Sequence, residues 1–339
     1  MDTILLLAHT DADGALPRPA FEALAAATQL AGGAGVTAAL FGASAAKAAS
    51  SLGGASAKVL VAEGDALAQP RYATDAAAAT ALARASGATL VVAPATSRMA
   101  RIAAAVAERL GGRVDTHVTQ LANEGGPAVV RWYYRQRIES KLRRAERPWV
   151  ILVDPGAYAP AKPAAGAAPA VEAIEVPAAA SRTTVTGVRS PSSGEQTIKP
   201  EAKLLFVAGA GWTKKQADGK PHADKAEELV LGFVRASGAS LGSSKSLVDQ
   251  AGEGQKVFEF MTHLNQVGQT GATPRHPKGL STCCHGEEPH VVGWRFIRER
   301  RAVNLDPGCG WARGKADVLY VADAFAVMEK VNALLAAKK

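Results

Sequence analysis

The sequence predicts an α/β protein built as two doubly wound parallel-sheet domains, and three observations carry that prediction. Short apolar runs alternate with amphipathic stretches through the first ~155 residues, the signature of strand–helix–strand units. The alternation then lapses into an Ala/Pro-rich stretch and resumes after residue 200. At 339 residues the chain also exceeds the length at which one hydrophobic core usually stops growing. The domains follow as residues 1–157, an N-terminal nucleotide-binding-like domain; 158–200, a linker; and 201–339, a Rossmann-like domain.

In the first domain the strand candidates are residues 3–8, 36–41, 58–62 and 89–93, each closed by polar or Gly/Pro punctuation. Helical patterns fill the gaps at 19–30, 44–52, 71–85 and 98–110. The last of these carries Ile102, Val106 and Leu110 at steps of four, with Gly111-Gly112 as a stop signal. Two more strands, near 129–134 and 149–153, read as an appended pair. Between them the chain is densely basic (Arg135, Arg137, Lys141, Arg143, Arg144, Arg147) and follows Trp132-Tyr133-Tyr134. Such a pattern suits nucleic acid, but a solvated charged face that docks an acidic protein is the reading preferred. No nucleic-acid partner is expected.

From 158 to 200 periodicity is lost, apart from one strand-like piece at 171–176. The second domain begins with the apolar run 203–207 and the loop Ala208-Gly209-Ala210-Gly211-Trp212. A helix is predicted at 222–236, with Ala226, Leu229, Val230 and Phe233 on one face. A final helix at 323–337 places Phe325, Met328, Val331 and Leu335 on one stripe.

A composition of 47% hydrophobic and 21% charged residues excludes global disorder. No run approaches the ~18 apolar residues of a membrane span, and the N-terminus has neither a signal peptide nor a transit pattern. Three cysteines, an odd number, argue against a disulfide framework and for a reducing compartment. A cytoplasmic, bacterial protein is expected. The net charge of +8 suits a phosphorylated cofactor or an acidic partner.

Several chemistries are excluded by missing motifs. There is no G-x-S-x-G elbow and no H-E-x-x-H pair, and the spacing of 308–315 is wrong for a phosphate loop. The cluster Cys283, Cys284, His285 and His290, with His276 and Cys309 further off, lacks the two-residue spacing that metal ligands need, so no metal is assigned. Gly209 and Gly211, after a strand, offer backbone amides to a pyrophosphate. Gln266-Val267-Gly268-Gln269-Thr270-Gly271 is the most informative stretch: open amides, a hydroxyl and a side-chain amide suit the polar edge of a flat heterocycle or a phosphate.

That stretch, with Gly242-Ser243-Ser244-Lys245-Ser246-Leu247-Val248-Asp249 about twenty residues before it, resembles the FAD domain of electron transfer flavoprotein α subunits. Ala302-Val303-Asn304-Leu305-Asp306-Pro307, Ala316-Asp317 and Val321-Ala322-Asp323 extend the resemblance, and His290-Val291-Val292-Gly293 keeps the family's distance from Gly271. The N-terminal domain resembles the family more loosely, through Tyr72, Ala95-Thr96-Ser97 and Val153-Asp154-Pro155-Gly156-Ala157.

The resemblance implies a bound FAD. Ser244 and Lys245 would lie against the flavin, and Val267, Gly268, Gln269, Thr270 and Gly271 would form the loop at the isoalloxazine edge. His290 would sit near the pyrimidine end, Gly286 would contribute to cofactor binding from the turn before it, and Asn304 with Asp323 would hold the adenosine portion. It further implies an electron carrier with no catalytic acid or base. The partners would be an electron transfer flavoprotein β subunit in a heterodimer, a flavoprotein dehydrogenase as donor, and a quinone-linked or iron–sulfur oxidoreductase as acceptor.

Three positions depart from the family pattern. Its S-G-G-R-G loop is Ala208-Gly209-Ala210-Gly211 here, without an arginine. Lys245 stands for an arginine, keeping the charge but losing the planar fork. Cys283–Pro289 is rewritten, with Glu287 and Glu288 introduced. These leave a flavin-free structural or binding subunit on the same fold as the alternative.

Overall fold

The computed structural model describes residues 2–134, 138–162, 168–187, 198–199, 202–250, 258–267, 274–282, 297–307 and 316–337. The chain divides into two compact units, Met1–Val188 and Arg189–Lys339.

The first unit runs β1 (Ile4–His9), α1 (Arg18–Ala31), β2 (Thr37–Gly42), α2 (Ala45–Ala49), β3 (Lys58–Glu63), α3 (Tyr72–Ser86), β4 (Leu90–Pro94), α4 (Ser97–Arg109), β5 (Arg113–Asn123), β6 (Pro127–Tyr133), β7 (Ile138–Leu142), β8 (Trp149–Val153) and β9 (Ala170–Ala173). They form one nine-stranded sheet in the order β7-β6-β5-β8-β4-β1-β2-β3-β9. All neighbours from β5 to β9 pair in parallel; β6 and β7 join antiparallel.

The pleat divides the apolar residues between two cores. Leu6, Leu40, Val61, Val92 and Ile151 point to the face covered by α1 and α2. Leu5, Leu7, Phe41, Val91 and Leu152 point to the face covered by α3 and α4. A sheet with helices on both faces needs strands that are apolar on both sides, and this is why these runs are continuous rather than alternating.

β8 corrects the expectation of an appended pair at 129–134 and 149–153. It inserts between β4 and β5 and runs parallel to both. All five of its residues are buried, and such a strand is stable only with neighbours on each side. The basic run, in turn, carries internal ion pairs. Arg144 and Arg131 both reach the buried Asp115 of β5, Arg147 pairs with Asp2 at 2.7 Å, and Lys141 and Arg143 flank Glu124. Arg135 and Arg137 lie outside the described residues. β9 falls within the 158–200 stretch and adds a parallel strand to β3.

The second unit runs β10 (Leu204–Ala208), α5 (Ala223–Ser237), β11 (Ser240–Ser243), α6 (Lys245–Asp249), β12 (Lys278–Thr282), β13 (Glu299–Asn304), β14 (Val318–Val321) and α7 (Ala324–Ala336). Its sheet has the order β11-β10-β12-β13-β14 and every pair is parallel. One face packs Phe206, Trp212, Phe233, Phe325 and Met328 beneath α5 and α7. The other carries a smaller core of Leu205, Val207, Val267, Ile297 and Ala302. Two α/β units with largely parallel sheets are the predicted fold class. Among the described residues, no helix is long and apolar enough to cross a membrane.

Candidate functional site

In open α/β sheets ligands bind outside the carboxyl ends of the strands, where the order reverses. In the second unit the register aligns those ends. Ala208 of β10 lies opposite both Ser243 of β11 and Thr282 of β12; Thr282 lies opposite Val303, and Asn304 opposite Val321. The reversal falls between β10 and β12, immediately before Gly209.

At this seam the Gly209 N–H donates to the Thr282 carbonyl at 2.9 Å. The Trp212 indole N–H donates to Thr282 Oγ1 at 2.8 Å. A short 3₁₀ turn, Ala210–Trp212, follows and tucks Trp212 against Phe325 with ring centroids 4.7 Å apart.

The predicted site residues fall into two groups along this edge. Gly211, Asn304 and Asp323 line one cavity of about 270 Å³ at the ends of β13 and β14. Asn304 is 4% exposed and its Oδ1 accepts the Asp306 N–H at 3.4 Å. Asp323 caps α7, its Oδ1 accepting the Ala326 N–H at 3.0 Å. Leu305 and Phe325 supply apolar wall.

Ser244, Lys245 and Val267 gather at the far end of the edge, beside β11. Ser244 Oγ caps α6 by accepting the Leu247 N–H at 3.2 Å, and its N–H donates to the Ala208 carbonyl. The Val267 N–H donates to the Ser243 carbonyl at 3.0 Å. Gly242 allows this approach: a Cβ there would stand 2.6 Å from Val267 Cγ2. β11 and β13 are three strand spacings apart, roughly 14 Å. Gly268, Gln269, Thr270, Gly271, Gly286 and His290 lie outside the described residues.

The electrostatics of the two groups differ. Lys245 Nζ is 3.1 Å from Asp249 Oδ2, and His263 Nε2 is 2.9 Å from Asp249 Oδ1. The hydrogen bond from His263, then that from Lys245, holds the Asp249 carboxyl below its ordinary range. Lys245 thus has an ion-pair partner within its own helix, a partly exposed pair of the kind that contributes little.

Sequence reasoning missed Lys215, Gln216 and Ala217, which line the same cavity. The signal was present: a polar, lysine-bearing stretch directly after the first strand of a doubly wound sheet occupies the loop position that such folds use for binding.

In the first unit the corresponding reversal falls between β1 and β4, and its own side chains bridge it. His9 is 6% exposed, and its Nδ1–H donates to the Thr10 carbonyl at 3.0 Å. That tautomer leaves Nε2 to accept the Thr96 hydroxyl at 2.9 Å. Burial lowers the His9 pKa from its ordinary value, so the ring is held neutral.

Two doubly wound α/β units, the second with a cavity and a row of polar groups along its strand ends, are the architecture on which the comparison with known proteins falls. A family model described as the electron transfer flavoprotein domain matches residues 4–179, just over half of the chain. The chain belongs to that family. The match falls on the first unit, whereas the candidate cavity lies in the second. No curated protein matches the chain.

Proposed function

We propose that the chain is the α subunit of a heterodimeric electron transfer flavoprotein, holding one FAD along the strand ends of its second unit. The supporting observation is the meeting of Gly211, Asn304 and Asp323 in one cavity at the carboxyl edge of a parallel sheet. An amide and a carboxylate suit the hydroxyls of a ribose, and Leu305 and Phe325 suit an adenine face. Ser243 Oγ and Ser281 Oγ on the same unit are buried and have no hydrogen-bond partner among the described residues, polar capacity that a ligand of this kind would use.

On this reading Asn304 and Asp323 orient the adenosine portion. Ser244 and Lys245 stand at the flavin end, and Val267 delivers the chain toward Gln269 and Thr270. Bound FAD would supply the redox chemistry, taking up and releasing electrons. The chain's own part is to bind, orient and shield, so no side chain acts as acid or base. The first unit is the surface for the β subunit; a flavoprotein dehydrogenase is the donor, and a quinone-linked or iron–sulfur oxidoreductase the acceptor.

The Lys245–Asp249 pair is the observation that favours the second reading, a flavin-free subunit, because the cation at the flavin end already has a carboxylate partner. The visible absorption spectrum of the chain co-expressed with its partner decides between them. A flavin band at one FAD per heterodimer is expected. A colourless pair that takes up no added FAD would overturn the proposal.

A further inference from the structure

The cavity at the ends of β13 and β14 has a third wall, Gly211, Lys215, Gln216 and Ala217 of the loop after β10. Among the described residues that line it, Lys215 is the cation and Asp323 the anion. The two charges divide the cavity: a carboxylate repels phosphate and accepts from hydroxyls, whereas an ammonium attracts phosphate.

The backbone on either side of Lys215 is fixed. Gln216 Nε2 donates to the Gly211 carbonyl at 3.0 Å and to the Lys214 carbonyl at 2.7 Å. The Gln216 N–H donates to the Lys220 carbonyl at 3.0 Å, and the Gly219 N–H donates back to the Gln216 carbonyl at 2.9 Å. Thr213 Oγ1 donates to Gln250 Oε1 at 2.7 Å, tying the loop to the end of α6. A side chain as floppy as lysine loses much of its rotamer freedom when it binds, and a clasped backbone reduces what must still be ordered.

Lys215 and Lys245 also differ in what already answers their charge. Lys245 is held by Asp249 at 3.1 Å. No ion pair among the described residues engages Lys215. A phosphorylated ligand lying in the cavity would thus meet one cation whose charge is still available.

Resting on the flavin reading above, we propose that Lys215 receives the phosphate groups of the adenine dinucleotide, with Gln216 as the positioning residue that holds it at the rim. The cavity then selects a nucleoside diphosphate over a nucleoside: phosphates toward Lys215, ribose toward Asp323 and Asn304.

Calorimetric titration of the flavin-stripped full chain with ADP, adenosine and inorganic phosphate tests this. ADP should bind more tightly than adenosine. K215Q should weaken ADP about tenfold while leaving adenosine unchanged, the low end for a hydrogen bond to a charged group. K215R should recover most of the loss, which a merely structural role would not predict. Q216A should weaken ADP less than K215Q, again with adenosine unchanged. Equal ADP affinity in K215Q and the unmodified chain, or no ADP binding by the unmodified chain, overturns the proposal.

FAD uptake, followed by flavin fluorescence, separates this from the reading it rests on. Lys215-dependent ADP binding in a pair that takes up no FAD leaves the phosphate site standing and removes the electron-carrier function. Stoichiometric FAD uptake that K215Q does not alter does the reverse.

Discussion

The two units solve the same topological problem with different residues. In the first, the strands β1, β4 and β8 are nearly pure aliphatic runs, Ile-Leu-Leu-Leu-Ala, Leu-Val-Val-Ala and Trp-Val-Ile-Leu-Val. The reversal point of its sheet is bridged by the His9–Thr96 hydrogen bond. In the second, the strands end on Ser243, Thr282 and Asn304, all buried, and the edge opens into a cavity. Burying polar groups costs stability unless each is partnered; Thr282 and Asn304 have partners within the unit, whereas the Ser243 hydroxyl has none among the described residues. The difference separates a unit whose reversal point is bridged by its own side chains from one whose strand ends border a cavity, although the family match falls on the former.

Replacing Asp115 with Ala should have the largest effect and touch the first unit alone. Its carboxylate is fully buried and accepts from Arg131, from Arg144 and from the Trp149 indole at 2.9 Å. Removing one partner of a buried pair costs about 3–5 kcal/mol, to be read from the denaturant midpoint of the first unit. Burial alone would raise the Asp115 pKa, but hydrogen bonds from Arg144, Arg131 and Trp149 outweigh it and hold it low. A depressed carboxyl pKa stabilises above its unfolded value of about 3.9. That stability should therefore fade as the pH drops below about 4, and D115N should lose this acid limb.

Gly242→Ala probes the second unit. With a Cβ 2.6 Å from Val267 Cγ2, overpacking should cost about 1–3 kcal/mol and reduce the FAD content of the purified pair. An unchanged flavin content would detach Val267 from the site. Asp323→Ala should cost about 1 kcal/mol through the lost α7 cap and in addition weaken FAD several-fold by fluorescence titration. Loss of stability without loss of affinity would leave Asp323 a cap only.

His9 gives a milder test. Its neutral native ring must not gain a proton that the unfolded chain gains below about pH 6.5, so the first unit should lose stability progressively as pH falls from there. H9Q should flatten that slope in thermal melts taken between pH 7 and 5. The smallest effect is expected from Ser281→Ala. Removing a hydroxyl that lacks a partner among the described residues should leave stability within about 0.5 kcal/mol, whereas a ligand bond to it would appear as weaker FAD binding.

The two halves of the first unit were not equally legible. β1 to β4 and α1 to α4 stand within one to three residues of their predicted bounds, because aliphatic runs and helical periodicity are local signals. β5 escaped prediction: its buried residues, Asp115, Val118 and Leu121, are separated by polar positions, and His117 interrupts it with a positive φ of 58°. The central place of β8 depends on pairing with β4 and β5, which no local pattern encodes. At the site, Asn304 and Asp323 were legible as motif members. For Lys215 only its place in the loop after the first strand was legible; that it lines the cavity depends on how Gln216 folds the loop back on itself.

β9 has a practical consequence. By pairing Ala170–Ala173 with β3, and by seating Ile174 and Val176 against the core, this short strand covers backbone groups of β3 that would otherwise face water as an unpaired edge. A fragment cut at residue 157 would bare that edge and invite self-association; one extended through residue 176 would keep its hem sewn.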